Sequence, residues 1–266
     1  MTTLNDLAKT LRALHNPSNP LVLTNVYDAP TAKIIAALPT SRAVATASYA
    51  VAATHNTLDD HLTKTQNLTT LALVLSAVHD TCASHAQPTK PVTVDLQDGY
   101  GADLPELAAT IKEIIALGAV GCNLEDLDNA SGRLRPLPEA VARVRTVMAA
   151  AAEVGVPDFV LNARTDVLGV TGRIEDAVER GRAFREAGAC TVFVWGGAGG
   201  RGVSDEEVRV LVKELEGMVN VKMNLREGFL GVQEIKRLGV ARISVGPELW
   251  RVAMKAYQEQ AELLLA

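Results

Sequence analysis

Pro91-Val92-Thr93-Val94-Asp95-Leu96-Gln97-Asp98-Gly99-Tyr100-Gly101 is an apolar, β-branched run that ends in an acid, an amide and a second acid, then a Gly-Tyr-Gly turn. Such a run reads as a strand. Its polar end matters most, because in open and barrelled α/β folds the C-terminal ends of the strands face the ligand crevice. Asp95 and Asp98 repel one another unless water solvates them or a cation is shared. An ordinary strand-to-helix turn with two solvated acids accounts for the same letters, so the rest of the chain decides.

Working outward, seven more runs share this character: residues 21–25, 43–48, 120–125, 159–164, 191–195, 220–224 and 241–245. Most are apolar at consecutive positions, as parallel strands covered on both faces must be. Between them lie helix-length amphipathic segments at 65–85, 104–117, 138–154, 174–187, 204–216 and 232–238. Asp103 and Ser204 are N-caps by position, with Pro105 and Glu207 just behind them. Gly118, Gly155, Gly188 and Gly239 stand where helices stop. Eight strand–helix units in about 250 residues are the count and size of a (β/α)8 TIM-type barrel. No Pro/Ser-rich linker divides the chain, so residues 1–266 read as one α/β domain.

Composition narrows the function classes. The 266 residues are 48% apolar and 21% charged, enough for a large core, and the formal charge is −5. That mild balance, without a Lys/Arg-rich run, argues against a nucleic-acid surface. The apolar stretches fall short of a bilayer span, and Met1-Thr2-Thr3-Leu4-Asn5-Asp6 lacks a basic-then-apolar signal pattern. Cys82, Cys122 and Cys190 are few, odd in number and far apart, which suits a reducing compartment. The expectation is a soluble cytoplasmic protein with no membrane partner.

In a barrel, the strand ends should hold the chemistry. They read Asn25-Val26-Tyr27-Asp28, Thr46-Ala47-Ser48-Tyr49, Asp95-Leu96-Gln97-Asp98, Asn123-Leu124-Glu125-Asp126, Asn162-Ala163-Arg164-Thr165-Asp166, Trp195-Gly196, Met223-Asn224 and Ser244-Val245-Gly246-Pro247. Several carboxylates meet a single arginine there, too much negative charge for one dry cavity without a cation. Carboxylates and an amide, with no His or Cys ligand set, point to Mg2+ before Zn2+. Arg164 offers the planar fork that grips a carboxylate or phosphonate.

Other features have plain readings. Gly197-Ala198-Gly199-Gly200-Arg201-Gly202 fits a dinucleotide fingerprint, but the next helix opens with Ser204-Asp205-Glu206-Glu207, whose charge repels a pyrophosphate. All five histidines fall in the first third of the chain, so a His-based triad or metal site is hard to build. His55 and His61 read as surface residues and Cys122 as a core residue. Trp195 either walls the pocket or packs. Tyr27 and Tyr49 are expected to line it.

These motifs resemble the phosphoenolpyruvate mutase/isocitrate lyase superfamily, from about residue 20 to the C-terminus. The family's Asp-x-Asp/Glu-x-Gly-Tyr-Gly is matched by residues 95–101, its Glu-Asp by Glu125-Asp126, and its Asn-Ala-Arg-Thr-Asp by residues 162–166. Its Gly-Val-Ala-Arg-(Ile/Val)-Ser-x-Gly-Pro is matched by residues 239–247, and its Asn-Ala-Trp-Asp-Ala by Asn25-Val26-Tyr27-Asp28-Ala29. The resemblance implies Mg2+ at the barrel mouth, held by Asp95 and Glu125 with Gln97 as a further ligand. It implies an oxyanion-receiving turn at Ser48-Tyr49-Ala50, a carboxylate-binding Arg164 with Asn162 beside it, and a catalytic carboxylate at Asp59, ahead of Asp60. It also implies a homodimer or homotetramer that swaps its last helix, for which residues 248–266 would serve.

Two departures stand out. Gln97 replaces the family's second acid, and Asp98 then belongs to the turn. After Glu125 the chain reads Asp126-Leu127-Asp128-Asn129-Ala130-Ser131-Gly132-Arg133-Leu134-Arg135-Pro136, without the Lys-Lys/Arg-Cys-Gly-His lid of the isocitrate and methylisocitrate lyases. Those two activities are therefore not expected. Gly132 and its two arginines form either a short lid or a solvated loop. The function expected is a Mg2+-dependent lyase or decarboxylase that acts on a C–C bond of a small 2-oxo or 2-hydroxy acid through a pyruvate-enolate-like intermediate. The alternatives are C–P mutase or hydrolase chemistry, or a barrel that has lost catalysis and only binds a metabolite.

Overall fold

A computed structural model describes residues 2–197 and 202–266. Among these residues eight parallel strands form a ring. The first, β1, is broken at Thr24 into Leu21–Leu23 and Asn25–Val26; β2 is Val44–Thr46, β3 Val92–Asp95 and β4 Gly121–Glu125. Then come β5 Val160–Thr165, β6 Thr191–Val194, β7 Val219–Lys222 and β8 Arg242–Ser244. The two halves of β1 close the ring, since Leu21–Leu23 pairs with β8 and Asn25–Val26 with β2. Asn25 fastens this seam. Its Nδ2 donates to Thr46 O at 2.6 Å, and its Oδ1 accepts the Val245 and Gly246 amides at 3.1 and 2.9 Å.

The helices Lys64–Ser84, Leu104–Leu117, Leu137–Glu153, Ile174–Glu186, Asp205–Glu214 and Val232–Arg237 cover the ring where the apolar period predicts them. Asp103 and Ser204 cap their helices by accepting from Glu106 N and Glu207 N, and Gly118 ends its helix in the left-handed conformation, φ +118°. A further helix, Leu4–Ala13, was not expected and lies under the barrel: a Cβ on Gly121 would stand 3.0 Å from Leu11 Cδ2. Short helices Ala29–Ala37, Ser48–Thr54 and Val167–Thr171, the 3-10 turn Asp59–His61, and the hairpin Leu127–Asp128/Arg133–Leu134 complete the connections. No helix among the described residues is long and apolar enough to cross a membrane.

The strand register stacks inward side chains in layers drawn from alternate strands, as barrel geometry requires. From the bottom these are Gly121, Thr191 and Arg242; then Thr93, Asn162 and Asn220; then Asn123, Phe193 and Ser244; then Asn25, Asp95, Arg164 and Lys222. Most are polar. The apolar core lies outside the ring, between strands and helices. The last helix, Glu248–Leu265, buries only Glu248 and leaves Val252, Tyr257 and Leu263 to Leu265 uncovered.

Candidate active site

The C-terminal ends of the strands surround a cavity of about 360 Å3. Its wall includes Asp59, Asp95, Arg164, Ser48, Tyr49, Asn162 and Trp195, and its floor reaches Thr93, Asn220 and Arg242. Asp95, last residue of β3, is held from two sides. Its Oδ2 accepts Ser48 N–H at 3.0 Å and its Oδ1 accepts Asn123 Nδ2 at 3.0 Å. Asn67 on the neighbouring helix donates to the Asp95 carbonyl at 2.8 Å and to the Tyr100 hydroxyl at 3.0 Å, tying the strand end to its turn.

That turn is strained. Gln97 and Tyr100 have left-handed φ of +52° and +59° around Gly99 at +92°, a conformation that non-glycine residues adopt only when surroundings enforce it. The left-handed twist aims Gln97 away from the cavity centre. Its Nε2 donates to Asp59 O at 2.5 Å and to Asp59 Oδ1 at 2.9 Å. Burial, and next the charge of Asp95, push the Asp59 carboxyl above its ordinary value, while Ser48 and Gln97 pull it down. Asp59 and Asp95 thus face one space as two like charges.

Arg164 is the centre of a buried charge cluster. Nε and Nη2 form a bidentate pair with Asp166 at 2.6 and 2.8 Å, so Asp166 takes one side of the fork. Nη1 lies 2.7 Å from Glu125 Oε2, yet that oxygen has no hydrogen bond, so the approach is an ion pair off the N–H direction. Trp195 lies under the guanidinium, 4.5 Å from ring centre to Cζ. Burial lowers the Arg164 pKa, but Glu125 and Asp166 outweigh it and hold the group above its ordinary range. Burial raises Glu125, helped by Asp166, Asp95 and Asp59, against the pull of Arg164. The excess of acids over arginines in the cluster therefore sets the direction for Arg164, whereas for Glu125 it only adds to burial.

Several expected site residues are placed differently. Tyr27 does not line the cavity; it packs with Ala47, Ala50, Val51 and Leu62 under the helix Ser48–Thr54. Ala50 is also set back, and its amide donates to Ala47 O. Because Ser48 N–H is taken by Asp95, only the Tyr49 amide of that turn makes no hydrogen bond to the protein. Asn162 reaches the cavity, but its amide is committed within the barrel: Nδ2 donates to Asn123 Oδ1 and Oδ1 accepts from Thr191 Oγ1, both at 2.7 Å. Asp98 belongs to the turn, as expected, and with Asp128 and Glu139 it holds Arg135. Arg135 is buried by these acids, so it anchors the hairpin and does not cover an anion. Residues 198–201 of the glycine-rich motif lie outside the described residues. Cys122 is buried in β4 with its thiol pushed up by burial. Lys222, Arg242 and Arg251 were missed; the first two alternate inward on their strands, the one signal that could have found them.

No three His, Cys, Asp or Glu side chains gather as a cage for an ion among the described residues. Mg2+ needs none, because it keeps several waters and uses one or two carboxylates. Asp95 and Asp59, two acids facing one cavity, fit such a hydrated ion. Gln97, with its amide hydrogens on Asp59, and Glu125, behind Arg164, do not reach the wall.

Fold and site together define a (β/α)8 barrel with an acid-lined mouth and an arginine in it. The family model for phosphoenolpyruvate phosphomutase matches residues 11–265, and the chain belongs to that family, within the phosphoenolpyruvate mutase/isocitrate lyase superfamily. The chain is 34% identical over 145 residues to 2-methylisocitrate lyase of Escherichia coli K12, covering 52% of this chain and 42% of the relative. It is 36% identical over 109 residues to oxaloacetate decarboxylase of Rhodopseudomonas palustris BisA53, covering 40% and 37%. The matches span less than half the length of these curated relatives. Among solved structures, a Burkholderia cenocepacia J2315 protein provisionally described as a phosphonomutase superposes with TM-score 0.85 at 34% identity, over 98% of this chain and 99% of that one. A 2,3-dimethylmalate lyase superposes with TM-score 0.80 at 27% identity, over 97% and 87%.

Proposed function

We propose that this protein is a Mg2+-dependent lyase that acts on a C–C bond of a small 2-oxo or 2-hydroxy acid through an enolate-like intermediate. The observation that supports this most is the facing pair Asp95 and Asp59 beside Arg164 in one cavity. Asp95 and Asp59 would hold the metal, which supplies positive charge where enolate charge develops. Arg164, two of whose five donors are spent on Asp166, presents the remaining edge of its fork to the substrate carboxylate. The Tyr49 amide, which has no partner among the described residues, would receive the oxyanion. Trp195 and Phe193 flank the guanidinium and exclude water from it.

C–C cleavage is favoured over C–P chemistry because Lys222 and Arg251, the cations that join Arg164 at the mouth, are both paired with Glu248 at 2.8 Å and so are not free for a phosphonate. A barrel that only binds a metabolite is favoured by one observation, the engagement of Gln97 with Asp59. The uncovered helix Glu248–Leu265 supports an assembly of two or four copies that exchange it. Calorimetric titration with Mg2+ and then oxalate, alongside turnover of oxaloacetate, alkylmalates and phosphonopyruvate, tests the reading. Mg2+-dependent oxalate binding with release of a pyruvate-type product is expected. Absence of both Mg2+ affinity and turnover would overturn it.

A further inference from the structure

Four buried polar atoms on the cavity floor make no hydrogen bond: Arg242 Nε and Nη1, Thr93 Oγ1 and Asn220 Oδ1. They come from adjacent interior layers of three strands, β3, β7 and β8. Arg242 is 3% exposed, and its side chain has neither an ion pair nor a hydrogen bond to the protein. Other buried arginines are engaged: Arg180 pairs with Asp126 at 2.9 Å, Arg135 pairs with three acids, and Arg143 donates to the Asp98 and Gly101 carbonyls. Burial depresses the Arg242 pKa to about 10, as it must for a cation with little nearby to balance it.

A desolvated, unpaired guanidinium is costly to a fold. This one borders a cavity that opens at the barrel mouth, so its partner can arrive from outside. We propose that Arg242, Thr93 and Asn220 form a carboxylate-binding subsite on the barrel floor, which takes the carboxylate of the substrate remote from Arg164. The guanidinium fork matches a carboxylate, and the Thr93 hydroxyl can donate to it. Asn220 now donates through Nδ2 to Ser244 Oγ at 3.2 Å. Turning its amide over lets Ser244 donate instead and aims Nδ2 at the ligand.

The proposal rests on the reading of the mouth as a 2-oxo or 2-hydroxy acid site, so the test separates the two. Lactate and malate share one end and differ by the second carboxylate. In calorimetric titrations with Mg2+, malate should bind the wild type at least about tenfold tighter than lactate. Arg242→Met should bring that ratio close to one. The variant should melt no lower than wild type, since it removes an unpaired buried charge. Should it fail to fold, Thr93→Val must lower the same ratio. An unchanged ratio in the folded variant, or a wild-type ratio near one, overturns the proposal. Acetate that occupies the floor beside bound lactate, with no advantage to malate, would show a subsite for a separate acid and overturn its assignment to the substrate. If neither lactate nor oxalate binds, the mouth reading fails, whereas malate binding that depends on Arg242 would still support the floor.

Discussion

Asn123 Nδ2 donates to Asp95 Oδ1 at 3.0 Å, and this is the last link of a directed chain. Thr191 Oγ1 donates to Asn162 Oδ1, and Asn162 Nδ2 donates to Asn123 Oδ1, each at 2.7 Å. The chain crosses four strands and can run only one way, because a hydroxyl opens it and an ionised carboxylate, which only accepts, closes it. The orientation of Asp95 is therefore set from three strands away.

Asn162→Leu cuts this chain in the middle and leaves Asn123 Oδ1 and the Thr191 hydroxyl buried without partners. A loss of about 1–3 kcal/mol in denaturant unfolding is expected for such orphaned groups. Asp95 should also lose its fixed rotamer, and Mg2+ affinity should fall. A variant with wild-type stability and wild-type Mg2+ affinity would show that the chain does not position Asp95.

Gln97→Asp restores the acid common in the family but removes both hydrogen bonds to Asp59 and sets a third carboxylate near Asp59 and Asp95. Without metal the variant should melt below wild type, with Asp59 pushed further up by the added charge. Saturating Mg2+ should recover more stability in the variant than in wild type, by mass action on the folded state. Melting curves with and without Mg2+ read this directly, and equal metal-induced shifts would count against Asp59 and Asp95 as the metal site.

Arg164→Met leaves Asp166 and Glu125 buried without their cation. Breaking a buried pair in this way costs about 3–5 kcal/mol, and oxalate binding should vanish with it. Arg164→Lys keeps the charge but cannot supply the fork, so it should recover part of the stability and little of the oxalate affinity. Recovery of both would mean that charge alone, without planar geometry, serves the site.

The eight strands and six main helices were legible because parallel strands covered on both faces are apolar at consecutive positions, and because capping residues mark where helices begin and end. Asp95 and Arg164 were legible as polar residues closing apolar strands. What the letters could not show is direction. Gln97 reads as a cavity residue until its left-handed φ turns it onto Asp59. Tyr27 lies in a mouth motif, yet its ring has a better apolar home under the following helix. Arg242 opens a strand, where an arginine ordinarily reaches solvent; only barrel closure by β1 makes that position interior. Arg135 resembled a lid cation until the hairpin placed three acids around it.

His15, beneath the barrel, makes stability depend on acid. Its Nδ1 lies 2.8 Å from Leu11 O, so Nδ1 bears the hydrogen, and Nε2 is buried without a partner. Burial first, and Arg242 next, lower its pKa from 6.5 to about 3. The folded state therefore binds fewer protons than the unfolded state between these values. The contribution of the neutral ring is fully present above pH 6.5 and is lost as pH falls towards 3. From pH 7 to pH 4 this group alone should remove on the order of 3 kcal/mol of unfolding free energy. In His15→Gln, which cannot take up the proton, that part of the slope should disappear, although the carboxylates will keep a slope of their own. Urea unfolding of both proteins at pH 4, 5, 6 and 7 measures the difference, and parallel slopes would show that His15 stays neutral or protonated alike in both states.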